Sequence, residues 1–302
     1  MSSASEVREL LARFKLRARK SLGQNFLIDD AALDQIVVAA DLTPDDAVLE
    51  IGPGLGTLTQ RLARAAGRVI AVELDQNLIP ALHDMLAPYP NVELIHGDIL
   101  QLDPSAFITK QSDDQTTRLP DDPTIRLSHY KVVANLPYYI TSAVIRHLLK
   151  APLRPSLLIL TMQLEVAQRL IAAPGDLSLL AVSVQFYGKP SLVTRIKAGS
   201  FYPVPKVDSA VVRIDVYPRP PVDVRDVDHF FAVVKAGFGQ KRKQLHNALR
   251  SGLSLPGQVI DAALSQVNVD PKRRAETLTL REWAALAEAL PHPPPRRSPG
   301  GG

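Results

Sequence analysis

Five short apolar runs constrain the architecture most. AVLEI (47–51), RVIAVEL (68–74), VELIHGD (92–98), KVVAN (131–135) and LLILTM (157–162) are strand-length, and helix-like stretches separate them. Those stretches are TLTQRLARAA, QNLIPALHDML, TSAVIRHLLK and EVAQRLIAA, with apolar residues at helical spacing. Such alternation builds βαβ units around a parallel sheet, so the predicted fold class is α/β. A later run, VDSAVVRIDVY (207–217), adds a strand with partial alternation. The segment 108–129 is polar, lacks apolar periodicity and reads as a long surface loop.

PRPPVDVRD (218–226) is the linker candidate, since its prolines discourage regular structure. Beyond it the pattern is helical throughout: HFFAVVKAGF, KRKQLHNALR, PGQVIDAALSQV and LREWAALAEAL. Thr279 followed by Glu282 predicts a capping box for the last helix. The 302 residues therefore divide into an α/β domain (1–218), a smaller all-helical domain (219–290) and a disordered tail (291–302).

Composition removes several function classes. The chain has no cysteine, which excludes disulfides, thiolate nucleophiles and Cys-based metal sites, and which suits a cytoplasmic enzyme. No apolar run reaches 18 residues, and MSSASEVRELLARFKLRARK lacks an apolar signal core, so neither a membrane span nor secretion is expected. His96, His147 and His246 are isolated without metal-ligand spacing, and no metal is expected. The net charge is only +4, but the basic residues cluster. Arg13, Lys15, Arg17, Arg19 and Lys20 form one group; Lys241, Arg242 and Lys243 a second; Lys272, Arg273 and Arg274 a third. Dense basic clusters without interleaved acids point to a polyanion partner.

The first strand runs into EIGPGLGTLT (50–59), where Gly52, Gly54 and Gly56 permit tight turns and close ligand approach. A glycine turn alone is weak, but acids follow at the same sheet edge. Glu73 ends the second strand, 21 residues after Gly52, and Asp98 ends the third. A dinucleotide site wants G-x-G-x-x-G, whereas the spacing here is G-x-G-x-G, with Thr57 at the later position. Pro53 also removes an amide that a pyrophosphate would use. S-adenosylmethionine carries no phosphate; its cationic sulfonium, ribose and adenine suit an acid-rich edge formed by Glu50, Glu73 and Asp98. Glu73 is the expected ribose acceptor. Glu50 either contacts the ligand or orients the loop.

The fourth strand ends in ANLPYYITS (134–142). An adenine N6 amine is a poor nucleophile because its lone pair is delocalised into the ring. The Asn135 side-chain oxygen and the Leu136 carbonyl are placed to accept its hydrogens and steer the lone pair toward a methyl donor. Pro137 restricts Leu136 to extended geometry and so aims that carbonyl. Tyr138 offers a ring face to a splayed-out base, worth roughly 1–3 kcal/mol. The bland alternative is a Pro-Tyr turn, which the preceding glycine loop, Glu73 and Asp98 disfavour.

Seven motifs in order carry a resemblance: KSLGQNFLID (20–29), EIGPGLGTLT, AVELD (71–75), GDIL (97–100), NLPYYITS (135–142), FYPVPKVDSAVVRI (201–214) and FGQKRKQLHNAL (238–249). Over about residues 20–290 the chain resembles the KsgA-type family of small-subunit ribosomal RNA adenine dimethyltransferases. The resemblance implies a Rossmann-like class I methyltransferase domain that uses S-adenosylmethionine. It implies four methyl transfers, two on each of two adjacent adenosines in the hairpin near the 3′ end of 16S rRNA, during small-subunit biogenesis. The implied cofactor contacts are Asn25 and Leu27 in a segment closing over the cofactor (within 1–29), Gly52 and Gly54 in the loop, Glu73 on the ribose, Asp98 on the adenine amine, and Asn135. The catalytic edge is Asn135, Leu136, Pro137 and Tyr138. Phe201 either faces Tyr138 across the target base or plugs the core.

Arg17, Arg19, Lys20, Lys241, Arg242 and Lys243 become candidate phosphate contacts, the last three opening a helix, and such contacts imply steep salt dependence. The partner is 16S rRNA in an assembling small subunit, and the enzyme is expected to be a monomer. Two departures stand out: Leu177-Ser178 occupies a place where the family often has Tyr-Gly, and 108–129 is long. Three rivals remain. They are an enzyme of the macrolide-resistance type acting on one adenine of large-subunit rRNA, a non-catalytic RNA-binding assembly or transcription factor, and a small-molecule methyltransferase. N-L-P-Y with F-G-Q-K-R-K disfavours the first. The intact Glu73, Asp98 and Asn135–Tyr138 set disfavours the second, and the basic clusters with the helical appendage disfavour the third.

Overall fold

The computed structural model describes residues 4–108 and 130–292; the expected loop from 109 onward and the tail from 293 lie outside them. The chain forms two compact units, one of residues 1–167 and 189–218, the other of 168–188 and 219–302.

The first unit opens with α1 (Ala4–Arg13), followed by β1 (Phe26–Leu27) and α2 (Asp30–Ala40). Then come β2 (Ala47–Ile51), α3 (Thr57–Ala65), β3 (Arg68–Glu73), α4 (Ile79–Leu86), β4 (Val92–His96) and α5 (Ser105–Ile108). After the undescribed stretch follow β5 (Lys131–Asn135), α6 (Thr141–Lys150), β6 (Leu157–Gln163) and α7 (Leu164–Leu170). Beyond α8 (Leu179–Gln185), which lies in the second unit, the first unit resumes with β7 (Gly188–Ile196), β8 (Phe201–Tyr202) and β9 (Ser209–Val216).

Seven strands form one sheet in the order β4-β3-β2-β5-β6-β9-β7. Pairing is parallel from β4 through β6, while β9 runs antiparallel to β6. Every residue of β2 is buried, as expected of a central strand covered on both faces. Helix α2 shows how one covering layer forms. The Asp29 side chain caps it through the Ala32 amide, and Ala32, Leu33, Ile36 and Ala40 form its buried stripe. These join Leu58 and Leu62 of α3 and Val48, Val133 and Ile159 of the sheet in one core cluster. The strands expected from sequence fall within two residues of those found.

The second unit is built on α9 (Val227–Phe238), α10 (Leu245–Leu253), α11 (Gly257–Gln266) and α12 (Leu280–Ala289). Its boundary departs from the single break expected after 218, because residues 168–188 belong to it. The reason is aromatic packing. Phe186, fully buried after α8, stacks on Phe230 of α9 at 4.9 Å between centroids and meets Phe231 edge-on at 5.2 Å. The Gly175 amide also donates to the Glu276 carbonyl at 2.8 Å. Within this segment Leu177 is buried and the Ser178 hydroxyl caps α8 through the Ala181 amide, so the departing pair serves local structure. A second correction concerns Lys241–Lys243: α10 begins at Leu245, and the three basic residues lie exposed in the turn before it. Among the described residues, no helix is long and apolar enough to cross a membrane.

Candidate active site

Parallel register brings the carboxyl ends of β4, β3, β2 and β5 to one edge, with Glu73 beside His96 and Ile51 beside both Val72 and Ala134. A cleft at that edge is lined by Gly52, Gly54, Glu73 and Asp98, by Asn135–Tyr138, and by Leu22–Leu27 of the N-terminal segment. The sequence-predicted residues Asn25, Leu27 and Phe201 lie in the same wall.

The glycine loop holds three left-handed residues that side chains rarely tolerate: Gly52 at φ +70°, Gly54 at φ +61° and Gly56 at φ +74°. A Cβ on Gly54 would stand 3.1 Å from the Phe26 ring, whereas around Gly52 nothing lies within 4 Å, leaving room for a ligand. The loop is tied to the next strand by Glu73. Its carboxylate accepts from the Gly54 amide at 3.2 Å and from the Asp75 amide at 2.8 Å. Burial raises the Glu73 pKa, and these two amides offset part of the effect. One Asp98 oxygen takes the Leu100 amide at 3.0 Å, which fixes the turn and presents the half-buried carboxyl to the cleft.

Glu50 is 1 % exposed, and its Oε2 has no hydrogen-bond partner among the described residues. Burial pushes its pKa to about 8; the neighbouring Thr59 hydroxyl eases the charged form, and the Glu73 charge opposes it. Glu50 is thus a neutral acid near pH 7. Of the two roles left open for it, orienting the loop from beneath suits this state better than pairing with a cation.

At the end of β5 the Asn135 amide nitrogen donates to the Asn25 carbonyl at 3.2 Å, which leaves its side-chain oxygen to accept from a ligand. The Leu136 amide is used by the Thr161 carbonyl at 3.3 Å, and no backbone amide among the described residues donates to the Leu136 carbonyl. The Tyr138 hydroxyl shares a 2.7 Å hydrogen bond with Ser209, which anchors the ring by its hydroxyl end, and the residue lines the cleft. Burial raises the phenol's pKa, so the ring stays neutral. Phe201 is only 2 % exposed and packs in the core cluster with Leu27 and Leu33, while also lining the cleft. That burial favours the plug among its two expected roles.

The N-terminal segment reaches the cleft through three attachments. Helix α1 buries Val7, Leu10 and Leu11 against Leu78, Leu82 and Leu86. The two-residue strand β1 pairs antiparallel with β8, Phe26 beside Tyr202 and Leu27 beside Phe201. Between these, Arg19 and Gln24 both reach Asp75. Burial disfavours the Asp75 charge, but hydrogen bonds from Gln24, Asn77 and Arg19 outweigh that and hold its pKa below the ordinary value. Asp75 and Gln24 were not singled out from sequence. They stand inside the AVELD and GQNFL motifs, but nothing in either motif says that they meet. Arg17 is exposed, and Arg19, expected on RNA, has its guanidinium on Asp75.

The profile of the family described as "Ribosomal RNA adenine dimethylase" matches residues 15–291. The protein called "Ribosomal RNA small subunit methyltransferase A" in Dehalococcoides mccartyi (strain CBDB1) is 47% identical over 287 residues, covering 94% of this chain and 92% of the relative. The protein of that name in Pelotomaculum thermopropionicum is 45% identical, covering 96% and 97%. Among solved structures, a dimethyladenosine transferase from Plasmodium falciparum aligns with TM-score 0.70 and 25% identity, covering 86% of this chain and 95% of that one. The 23S rRNA methyltransferase ErmE aligns with TM-score 0.65 and 29% identity, covering 88% and 99%.

Proposed function

The chain belongs to the ribosomal RNA adenine dimethylase family, and from that premise we propose that it transfers methyl groups from S-adenosylmethionine to N6 of two adjacent adenosines in the hairpin near the 3′ end of 16S rRNA. The observation that carries this reading is the convergence, in one cleft, of Glu73 and Asp98 with the free acceptors of Asn135 and Leu136 and with Tyr138. The relatives named for the small subunit, at 45–47% identity, favour that substrate over large-subunit rRNA.

The residues present fit S-adenosylmethionine. The space at Gly52 admits a ligand against the backbone, the acids Glu73 and Asp98 offer acceptors to ribose hydroxyls and an adenine amine, and Pro53 leaves no complete amide cradle for a pyrophosphate. When bound, this group supplies an electrophilic methyl on a sulfonium sulfur. Asn25, Leu27, Gly52, Gly54, Glu73 and Asp98 would hold it. The chain's own contribution to the chemistry is to prepare the amine. The Asn135 oxygen and the Leu136 carbonyl each accept one N6 hydrogen, which turns the nitrogen lone pair out of conjugation and stabilises charge gathering there. Tyr138 holds the base by its face and does not depend on how many hydrogens N6 retains. After one methylation a single hydrogen remains, so one acceptor releases while the ring stays stacked. The cationic product nitrogen sheds its proton to water, and no strong base is required.

Lys241, Arg242 and Lys243, exposed before α10, and Arg17 and Lys20 are proposed to grip rRNA phosphates. The proposed setting is a small subunit in late assembly, met by a monomer in the cytoplasm, with no metal required.

Role assignments are tested by separating the two halves of the cleft. Tyr138→Ala lowers transfer roughly 10–100-fold, the worth of one base stack, with S-adenosylmethionine affinity unchanged by calorimetry. Tyr138→Phe keeps the ring face and most of the activity. Glu73→Ala mainly weakens cofactor binding. Loss of cofactor binding in Tyr138→Ala, with Glu73→Ala binding normally, contradicts the assignment.

A further inference from the structure

The cleft wall formed by Leu22–Leu27 has little regular structure, the end of a 3-10 turn (Lys20–Leu22) and the two strand residues of β1, so side chains hold much of it in place. One carboxylate, Asp75, meets that need. Its Oδ2 accepts from Gln24 Nε2 at 2.8 Å, and its Oδ1 accepts from Arg19 Nη1 at 3.1 Å. Oδ1 also takes the Asn77 amide at 3.2 Å and Asn77 Nδ2 at 2.8 Å, which fixes the turn after β3. The Gln24 side chain is used at both ends, since its oxygen accepts the Arg19 amide at 2.7 Å. Asp75 is 3 % exposed and two residues from Glu73, whose carboxylate its own amide meets at 2.8 Å.

We propose that Asp75 is a positioning residue that latches the N-terminal wall of the cleft, through Gln24 and Arg19, to the same turn that carries Glu73, so that Arg19 serves this latch and not an RNA phosphate. The inference rests on the cleft being the S-adenosylmethionine site. Its physical content is registration. The wall that closes the cleft and the acid expected on the ribose are set by one buried group, so neither shifts without the other. The latch also reaches the substrate side, because the Asn25 carbonyl, one residue beyond Gln24, receives the Asn135 amide at 3.2 Å. A carboxamide in place of the Asp75 carboxylate has one acceptor oxygen where the native group uses two, so either Gln24 or Arg19 loses its partner, and the charge that holds Arg19 is gone. The wall then keeps β1, α1 and the Asn135–Asn25 hydrogen bond.

The test uses the full chain and the variants Asp75→Asn, Gln24→Ala and Arg19→Gln; Gln24→Ala carries it if Asp75→Asn fails to fold. With no cofactor present, trypsin cleaves after Arg17 and Lys20 in Asp75→Asn and Gln24→Ala about ten-fold faster than in the wild type, since the segment opens locally before cleavage. Equal rates overturn the latch whether or not the wild type binds S-adenosylmethionine, so this arm is separate from the functional reading. Failure of the wild type to bind S-adenosylmethionine instead overturns that reading, and with it the cofactor role given to the latch. In calorimetry each variant binds S-adenosylmethionine roughly ten-fold more weakly, about the loss of one charge-assisted hydrogen bond. Arg19→Gln also leaves the salt dependence of rRNA binding as in the wild type. A fall in that slope by about 0.7–0.9, with S-adenosylmethionine affinity unchanged, makes Arg19 a phosphate contact and overturns the proposal.

Discussion

The Glu50 side chain is buried, and its second oxygen has no hydrogen-bond partner among the described residues; that burial sets its charge. Its pKa is about 8 in the folded protein against 4.5 ordinarily, raised first by burial and further by Glu73, with Thr59 opposing. The folded state therefore keeps a proton that the unfolded chain loses above about pH 4.5. Between that pH and about 8 this group lowers stability as pH rises, by up to about 1.4 kcal/mol per pH unit, and above 8 its contribution levels off. Glu50→Gln removes this slope while keeping the shape. Urea midpoints from pH 5 to 8 should fall less with pH in the variant than in the wild type, and parallel profiles contradict the account. Asp75 has the opposite sign: its pKa is depressed, so its contribution is complete above the ordinary carboxylate range and is lost as pH falls through the folded value.

Among the elements, α12 shows how a local motif gains tertiary partners. Thr279 accepts the Glu282 amide, Glu282 answers to the Thr279 amide, and Arg273 pairs with the same carboxylate at 2.5 Å. Thr279→Ala should cost about 1 kcal/mol of stability, the usual worth of a cap. Glu282→Ala should cost more, because it also removes the ion pair with Arg273, which is then held by Thr277 alone among the described residues; chemical denaturation of both variants checks the order, and an equal or reversed cost contradicts it. This box was readable because its two residues are three apart in sequence. The buried strands β2, β3, β5 and β6 were readable too, because burial on both faces writes an unbroken apolar run. Strands β1 and β8 have two residues each, too few for any period, and β7 is an edge strand, largely solvent-facing and interrupted by Pro190, whose few apolar residues make no regular alternation. The segment 168–188 joined the helical unit through Phe186 and Phe230, residues 44 positions apart by number, a pairing that no local pattern encodes.

Across the whole molecule, the proposed roles rest on where each unit is charged and where it is hollow. The α/β unit has its cleft at the carboxyl ends of the parallel strands, where four successive strands deliver a glycine loop, two acids and an amide. That much was legible, because each group sits at the end of an apolar run and the order of the runs fixes the edge they share. The latch of Arg19 and Gln24 on Asp75 was not, since it joins residues more than 50 apart through side chains alone. The helical unit presents Lys241, Arg242 and Lys243 in an exposed turn, suited to a phosphate backbone. The most direct measurement of the central claim is the product itself. Small ribosomal subunits lacking the modification are incubated with the enzyme and S-adenosylmethionine, the rRNA is digested, and the nucleosides are identified by mass spectrometry. The account predicts dimethyladenosine at both adjacent adenosines of the 3′-terminal hairpin of 16S rRNA. Methylation confined to large-subunit rRNA, or cofactor binding without any methyl transfer, contradicts it.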